Sequence, residues 1–119
     1  MATKRALPFT VVIPIPYRDK AGRSLAPALR ELWEVKAVSL LTDCFGGATP
    51  IDSPGYYRMA GGLVSLEVGQ RAVISVSTRA RFKEHRAAIE SFAGELMDAL
   101  DQEAVCVMAF PGGESFLLA

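Results

Sequence analysis

The sequence predicts an α+β fold with the element order β-α-β-β-α-β, and three observations predict it. "PFTVVIPIP" at positions 8–16 sets Phe9, Val11, Ile13 and Ile15 at period two, the mark of a strand with one buried face. Residues 79–101 carry Phe82, Ile89, Phe92, Ala93, Leu96 and Leu100 as a stripe at helical spacing. Between them, an earlier helical stretch stops at the pair Gly46–Gly47 and gives way to alternating extended segments. A chain of 119 residues has room for one domain, 1–119, and for a core that needs no staples.

The first strand carries a complication. Pro14 and Pro16 lack amide donors on the same edge, so its later half pairs fully on one side only. The polar "RDKAGRS" then turns the chain, with Ser24 as the expected N-cap and Pro27 tolerated in the first helical turn. The helix runs to about Phe45. Its early apolar positions Leu25, Leu29, Leu32 and Trp33 and its later ones Ala37, Val38, Leu41, Cys44 and Phe45 form two stripes that do not superimpose. Either the helix bends near Glu34 or its second half is covered on two sides. Gly46 or Gly47 is the expected left-handed cap, and Pro50 keeps the helix from resuming. A phosphate-cradling loop would place such glycines before a helix, at its positive end; here they follow one.

"GYYRMAGGLVSLEV" reads as a hairpin turning at Gly61–Gly62, and Gly69 as a bulge or kink before the strand 71–77. In that strand Ala72, Ile74 and Val76 alternate with Val73, Ser75 and Ser77, giving one core face and one small, half-polar face. "AVCVMAF", 104–110, closes the set as a strand apolar on both faces. Right-handed crossovers then give a four-stranded antiparallel sheet with two helices on one face, the ferredoxin-like arrangement, with the first strand central. The sheet's second face is too apolar to stand bare. A homodimer packed sheet to sheet, or the "FLLA" tail folded across, would cover it, and the dimer is the favoured reading.

Thirteen basic and thirteen acidic side chains cancel. That balance, with no aromatic-rich RNP-like strand, speaks against a nucleic-acid binder. No apolar run approaches the ~18 residues of a membrane span. The N-terminal "ALPFTVVIPIPY" after Lys4 and Arg5 has a superficial likeness to a signal peptide. Pro8, Pro14 and Pro16 interrupt it and no small-x-small site follows, so it reads as a strand of a cytoplasmic protein. Cys44 and Cys106, far apart in apolar segments, are expected as buried reduced thiols. Motifs of the CxxC or HExxH type are absent, and neither a metal nor a cofactor is expected.

His85 is the single histidine, on the margin of the second helix's apolar stripe; it serves either as a packed side chain or as a general base. With Tyr57 and Glu67 it makes up the catalytic candidates for a pocket between sheet and helices. Tyr56 and Arg58 stand at the hairpin entry, where a tyrosine beside an arginine suits a planar ligand. Thr49, Arg71, Arg79 and Arg81 complete the binding candidates. Arg79, Arg81, Lys83 and Arg86 crowd the start of the second helix while Glu90, Glu95, Asp98, Asp101 and Glu103 follow, against the helix dipole. The layout reads as an anion site or a dock for an acidic protein partner, or else as a solvated face with pairs such as Arg86–Glu90.

Taken in order, "LLTDCFGGATPIDSPGYYRMAGGLVSLE", "VISVST" and "LDQEAVCVM" resemble a group of small bacterial proteins known as a domain of unknown function. The resemblance covers residues 38–108 and rests on Phe45, Gly46, Gly47, Thr49, Gly55, Tyr57, Glu67, Gln102 and Glu103; tryptophan is common where Tyr57 stands. It implies an α+β fold and carries no activity. The expected function is a homo-oligomeric binding module for a small molecule or protein partner. A small cofactor-independent enzyme and a nucleic-acid binder using the basic helix start are the alternatives.

Overall fold

A computed structural model describes residues 4–58, 64–111 and 116–118. The elements in chain order are β1 (Lys4–Ala6), β2 (Phe9–Ile15), α1 (Pro27–Phe45), β3 (Thr49–Asp52), β4 (Gly55–Arg58), β5 (Val64–Glu67), β6 (Arg71–Ser77), α2 (Arg79–Ala99), β7 (Met108–Pro111) and β8 (Phe116–Leu118). Four of the strands form one antiparallel sheet in the order β3-β6-β2-β7. Two helices cross over it, so the fold is α+β and ferredoxin-like, with β2 central as the sequence requires.

Pro14 in β2 and Pro16 just past its end act as expected. β2 pairs with β6 from Phe9 to Ile15 but with β7 only from Phe9 to Val12. The missing donors of Pro14 and Pro16 therefore fall on the β7 side, where no ladder forms. One consequence corrects the sequence reading of 104–110: only Met108 onward is strand, and residues 104–107 run beside α2 without a ladder.

Phe9, Val11, Ile13 and Ile15 all face the helices and are buried. Their partners across the ladder are Ser77, Ser75, Val73 and Arg71, so the small, half-polar face of β6 is the inner one. Small side chains are needed there because α1 packs close against β6. The buried hydroxyl of Ser75 donates to the Gly47 carbonyl at 2.6 Å. The core closes with Trp33, Ala37, Leu41, Cys44 and Phe45 from α1 and with Ile89, Phe92, Leu96 and Leu100 from α2. Both stripes on α1 reach the core: the later one supplies Ala37, Leu41, Cys44 and Phe45, and of the earlier one Trp33 is buried, Leu25 and Leu29 pack at the margin and Leu32 is exposed.

Both helices are bounded by local chemistry. Thr78 caps α2 by accepting from the Arg81 N–H at 3.2 Å. Gly46 caps α1 in the left-handed region (φ 91°), its N–H donating to the Thr42 carbonyl at 2.8 Å. The start of α1 differs from expectation: Ala26, not Ser24, is the cap, and no side chain caps it. Pro27, which has no N–H to satisfy and a preset φ, begins the helix instead. Ser24 bridges back to Arg18, closing a loop in which Asp19 accepts from the N–H groups of Ala21 and Arg23, both at 2.9 Å.

The second sheet strand also differs. It is β3, read from sequence only as an extended segment after Gly46–Gly47. The hairpin β4–β5 forms a separate two-stranded sheet, continuing from β3 and β6 through the Ser53 N–H on the Gln70 carbonyl at 2.8 Å. The turn expected at Gly61–Gly62 lies outside the described residues. The tail strand β8 pairs with β1.

Candidate functional site

Where α1 stops, the chain leaves a cleft. Gly46 turns the backbone out of the helix, Gly47 and Ala48 carry it past the end of α1, and Thr49 enters β3 opposite Ile74. Because β3 begins at Thr49, the last residues of β6 have no β3 partner, and the gap is a cleft of about 440 Å³. Leu7, Phe45, Ile74 and Val76 supply apolar wall; Thr49, Ser75 and the backbone of 46–48 supply the polar part. Thr49, a sequence candidate, is thus placed in a cleft that the glycine stop creates.

The basic start of α2 has a different occupation. Arg81 Nη2 donates to the Cys44 carbonyl at 3.1 Å, and the Arg79 guanidinium carbon lies 5.3 Å from the centre of the Phe9 ring. The two helices are antiparallel neighbours, so the charge that opposes the dipole of α2 answers the negative end of α1, which has no basic residue in its last turn. Arg86 pairs with Glu90 at 2.8 Å. Arg71 is held by two carboxylates, Nε on Glu34 at 2.6 Å and Nη1 on Asp52 at 2.7 Å, which together raise its pKa. Its charge joins α1, β3 and β6 rather than facing an empty anion site.

His85 is half-buried, its ring edge-on to Phe45 with centroids 5.8 Å apart. Tyr57 and Glu67 belong to the hairpin ribbon, where Tyr57 pairs with Ser65 and Gly55 with Glu67. Tyr56 and Arg58 occupy the same ribbon, opposite Leu66 and Val64. A second cleft, about 430 Å³, lies between α2 and residues 105–109; Arg86 and Glu90, already paired with each other, are its charged groups.

The thiols divide. Cys44 is buried and burial raises its pKa, while Cys106, expected to be buried, is exposed because residues 104–107 are not in the sheet. Among the described residues no cluster of three or more His, Cys, Asp or Glu is placed to hold a metal, and no helix is long and apolar enough to cross a membrane.

The sheet face away from the helices is the other notable surface. Val12 and Ala72 lie on this side of the sheet and are buried, Ile74 is half-buried, and the last strand adds the exposed Met108 and Phe110, 47% and 43% accessible. Sequence reasoning found this face through the two-sided apolarity of 104–110. It missed the cleft's second wall, because nothing in the sequence marks β3 as starting opposite Ile74, three residues short of the end of β6.

No protein-family model matches the chain, and no curated protein matches it. Among solved structures, it is similar to a phage SAM lyase in complex with S-methyl-5′-thioadenosine, with a TM-score of 0.56 and 14% identity over 93% of this chain and 88% of that one. It is also similar to the periplasmic divalent cation tolerance protein CutA from Archaeoglobus fulgidus, with a TM-score of 0.48 and 13% identity over 87% of this chain and 81% of that one. At 14% identity the likeness to the lyase is one of fold.

Proposed function

We propose that the protein is a small homo-oligomeric binding module, belonging with the small bacterial proteins its motif order resembles, in which two copies pack open sheet face to open sheet face. One observation carries this reading: Met108 and Phe110 stand exposed beside Val12 and Ile74 on a face where an antiparallel sheet meeting water would alternate to polar residues. The tail strand pairs with β1 and leaves both side chains exposed. A second copy presents the same apolar surface and satisfies it by symmetry.

Light scattering on the purified chain tests the reading. Twice the chain mass is expected, and the pair Met108→Glu with Phe110→Glu should return the mass of one chain with an unchanged circular dichroism spectrum. A single-chain mass for the unaltered protein at micromolar concentration overturns it.

A further inference from the structure

β7 is the end strand of its sheet, and the ladder fixes which of its backbone groups look outward. Pro14 faces Ala72 in the ladder between β2 and β6 and has no N–H to exchange, so the hydrogen-bonded pairs there are those of Phe9, Val11, Ile13 and Ile15. The backbone groups of Thr10 and Val12 then turn to β7, where they meet Phe110 and Met108. Ala109, opposite Val11 between those bonded pairs, points its N–H and C=O away from the sheet. Among the described residues no backbone group pairs with them. Pro111, at the next outward position, has no N–H to leave unpaired.

A groove runs beside this edge. Val105, Val107 and Ala109 form one wall and Phe82, Ile89 and Ala93 of α2 the other, around a space of about 430 Å³. Every residue of β7 is exposed. Met108 and Phe110 lie on the face given to the second copy and Ala109 on the groove side, so the face-to-face pair leaves edge and groove reachable. The start of α2 lies at the Pro111 end of the groove. The Arg79 guanidinium carbon is 5.3 Å and the Phe82 ring 5.2 Å from the ring centre of Phe9, which pairs with Pro111. Arg79, Lys83 and Arg86, four and then three residues apart, share the side of α2 on which Arg86 lines the groove. Arg86 is tied to Glu90, Arg79 and Lys83 are exposed, and no acidic residue stands in the first turn.

An unpaired edge accepts another extended backbone, and a groove beside it accepts the side chains on one face of that strand. The β7 of a second copy fits badly. About a two-fold axis at Ala109 it would set Pro111, without an N–H, opposite Val107. The same axis would bring the net-positive stretch 79–86 of both copies side by side. A segment of opposite charge meets neither obstacle, and a nucleic-acid strand would answer the charge but not the amide edge. We propose that the β7 edge and its groove bind an extended acidic segment of a partner protein, with apolar side chains in the groove and carboxylates beside Arg79 and Lys83. The inference rests on the binding-module reading and names its protein-partner surface.

The probe is the peptide acetyl-Glu-Thr-Val-Thr-Val-Thr-Glu-amide, whose side-chain order is the same in both directions and whose groove-facing set is Glu, Val, Val, Glu. Its counterpart carries Lys in place of both Glu. Titrated into the full chain, the glutamate peptide should slow exchange of the Ala109 amide and move the Val105, Val107 and Ile89 methyls saturably. The lysine peptide should bind about tenfold more weakly, and Lys83→Glu should narrow or reverse that preference. Ala109→Pro should remove the response while keeping the ladder with β2, because the N–H it deletes faces outward. Should that variant unfold, the preference measured with Lys83→Glu decides. Absent or scattered shifts, an Ala109 amide left unprotected, equal binding of the two peptides, a preference unmoved by Lys83→Glu, or full binding by folded Ala109→Pro overturn the inference. So does displacement of the glutamate peptide by a single-stranded oligothymidine, or a mass above two chains that Ala109→Pro returns to two. A two-chain mass with no peptide response removes this surface alone; a peptide response on a single-chain mass removes only the face-to-face pair.

Discussion

At Gly69 the chain turns from β5 toward β6 with φ 95°, and a Cβ there would sit 3.0 Å from two ring carbons of Tyr17. Tyr17 is in turn flanked by the Arg30 and Arg18 guanidinium carbons, 4.7 and 5.4 Å from its ring centre. The ring is therefore held and has little room to yield. Gly69→Ala should cost about 2 kcal/mol, from the left-handed backbone and the ring contact together, measured as a lower urea midpoint with an unchanged m-value. Asp19 makes a pH prediction. The backbone N–H of Arg23, first among its partners, holds its carboxyl below the ordinary 3.8. A depressed folded pKa means that the folded chain binds fewer protons, so the contribution is present above that ordinary value and is lost as pH falls through the lower one. Protection factors at Ala21 and Arg23, which remove the intrinsic pH dependence of amide exchange, should fall as the pH drops below the ordinary 3.8 and stay constant over that range in Asp19→Asn.

Among the elements, β2 shows how two residues set the length of a ladder. Replacing Pro14 with Val and Pro16 with Thr restores two donors on the β7 side, and residues 104–107 should then gain protection in hydrogen exchange. Unchanged exchange there would mean that α2, not the prolines, holds the segment off the sheet. The Arg71 bridge shows the weight of burial. Glu34 is 19% exposed and Asp52 84% exposed, though both sit within hydrogen-bond distance of the same guanidinium. Glu34→Gln should cost about 1 kcal/mol and Asp52→Asn under about 0.5 kcal/mol in thermal unfolding, because water screens the second pair. The basic cluster of α2 was visible in sequence as a conflict with its own dipole. Its resolution needed the neighbouring helix end, which no local pattern displays.

Over the whole molecule one core joins both helices to β2 and β6. Leu41→Ala and Leu96→Ala, each fully buried on a different helix, should cost about 2–5 kcal/mol apiece and shift a single cooperative transition. Two separable transitions would refute a single core. The sequence by itself determined the α+β class, the two helices and the glycine stop of the first, the central place of the first strand and the one-sided limit set by Pro14 and Pro16. These follow from periodicity, glycine conformation and the missing proline amide, all properties of neighbouring residues. Only the tertiary structure decided that 49–52 is a sheet strand, that the polar side of β6 faces inward, that Cys106 is exposed, and that Thr49 lines a cleft while His85 packs on Phe45. Those depend on which surface α1 presses against and where one strand ends beside another, and such contacts are made by residues distant along the chain.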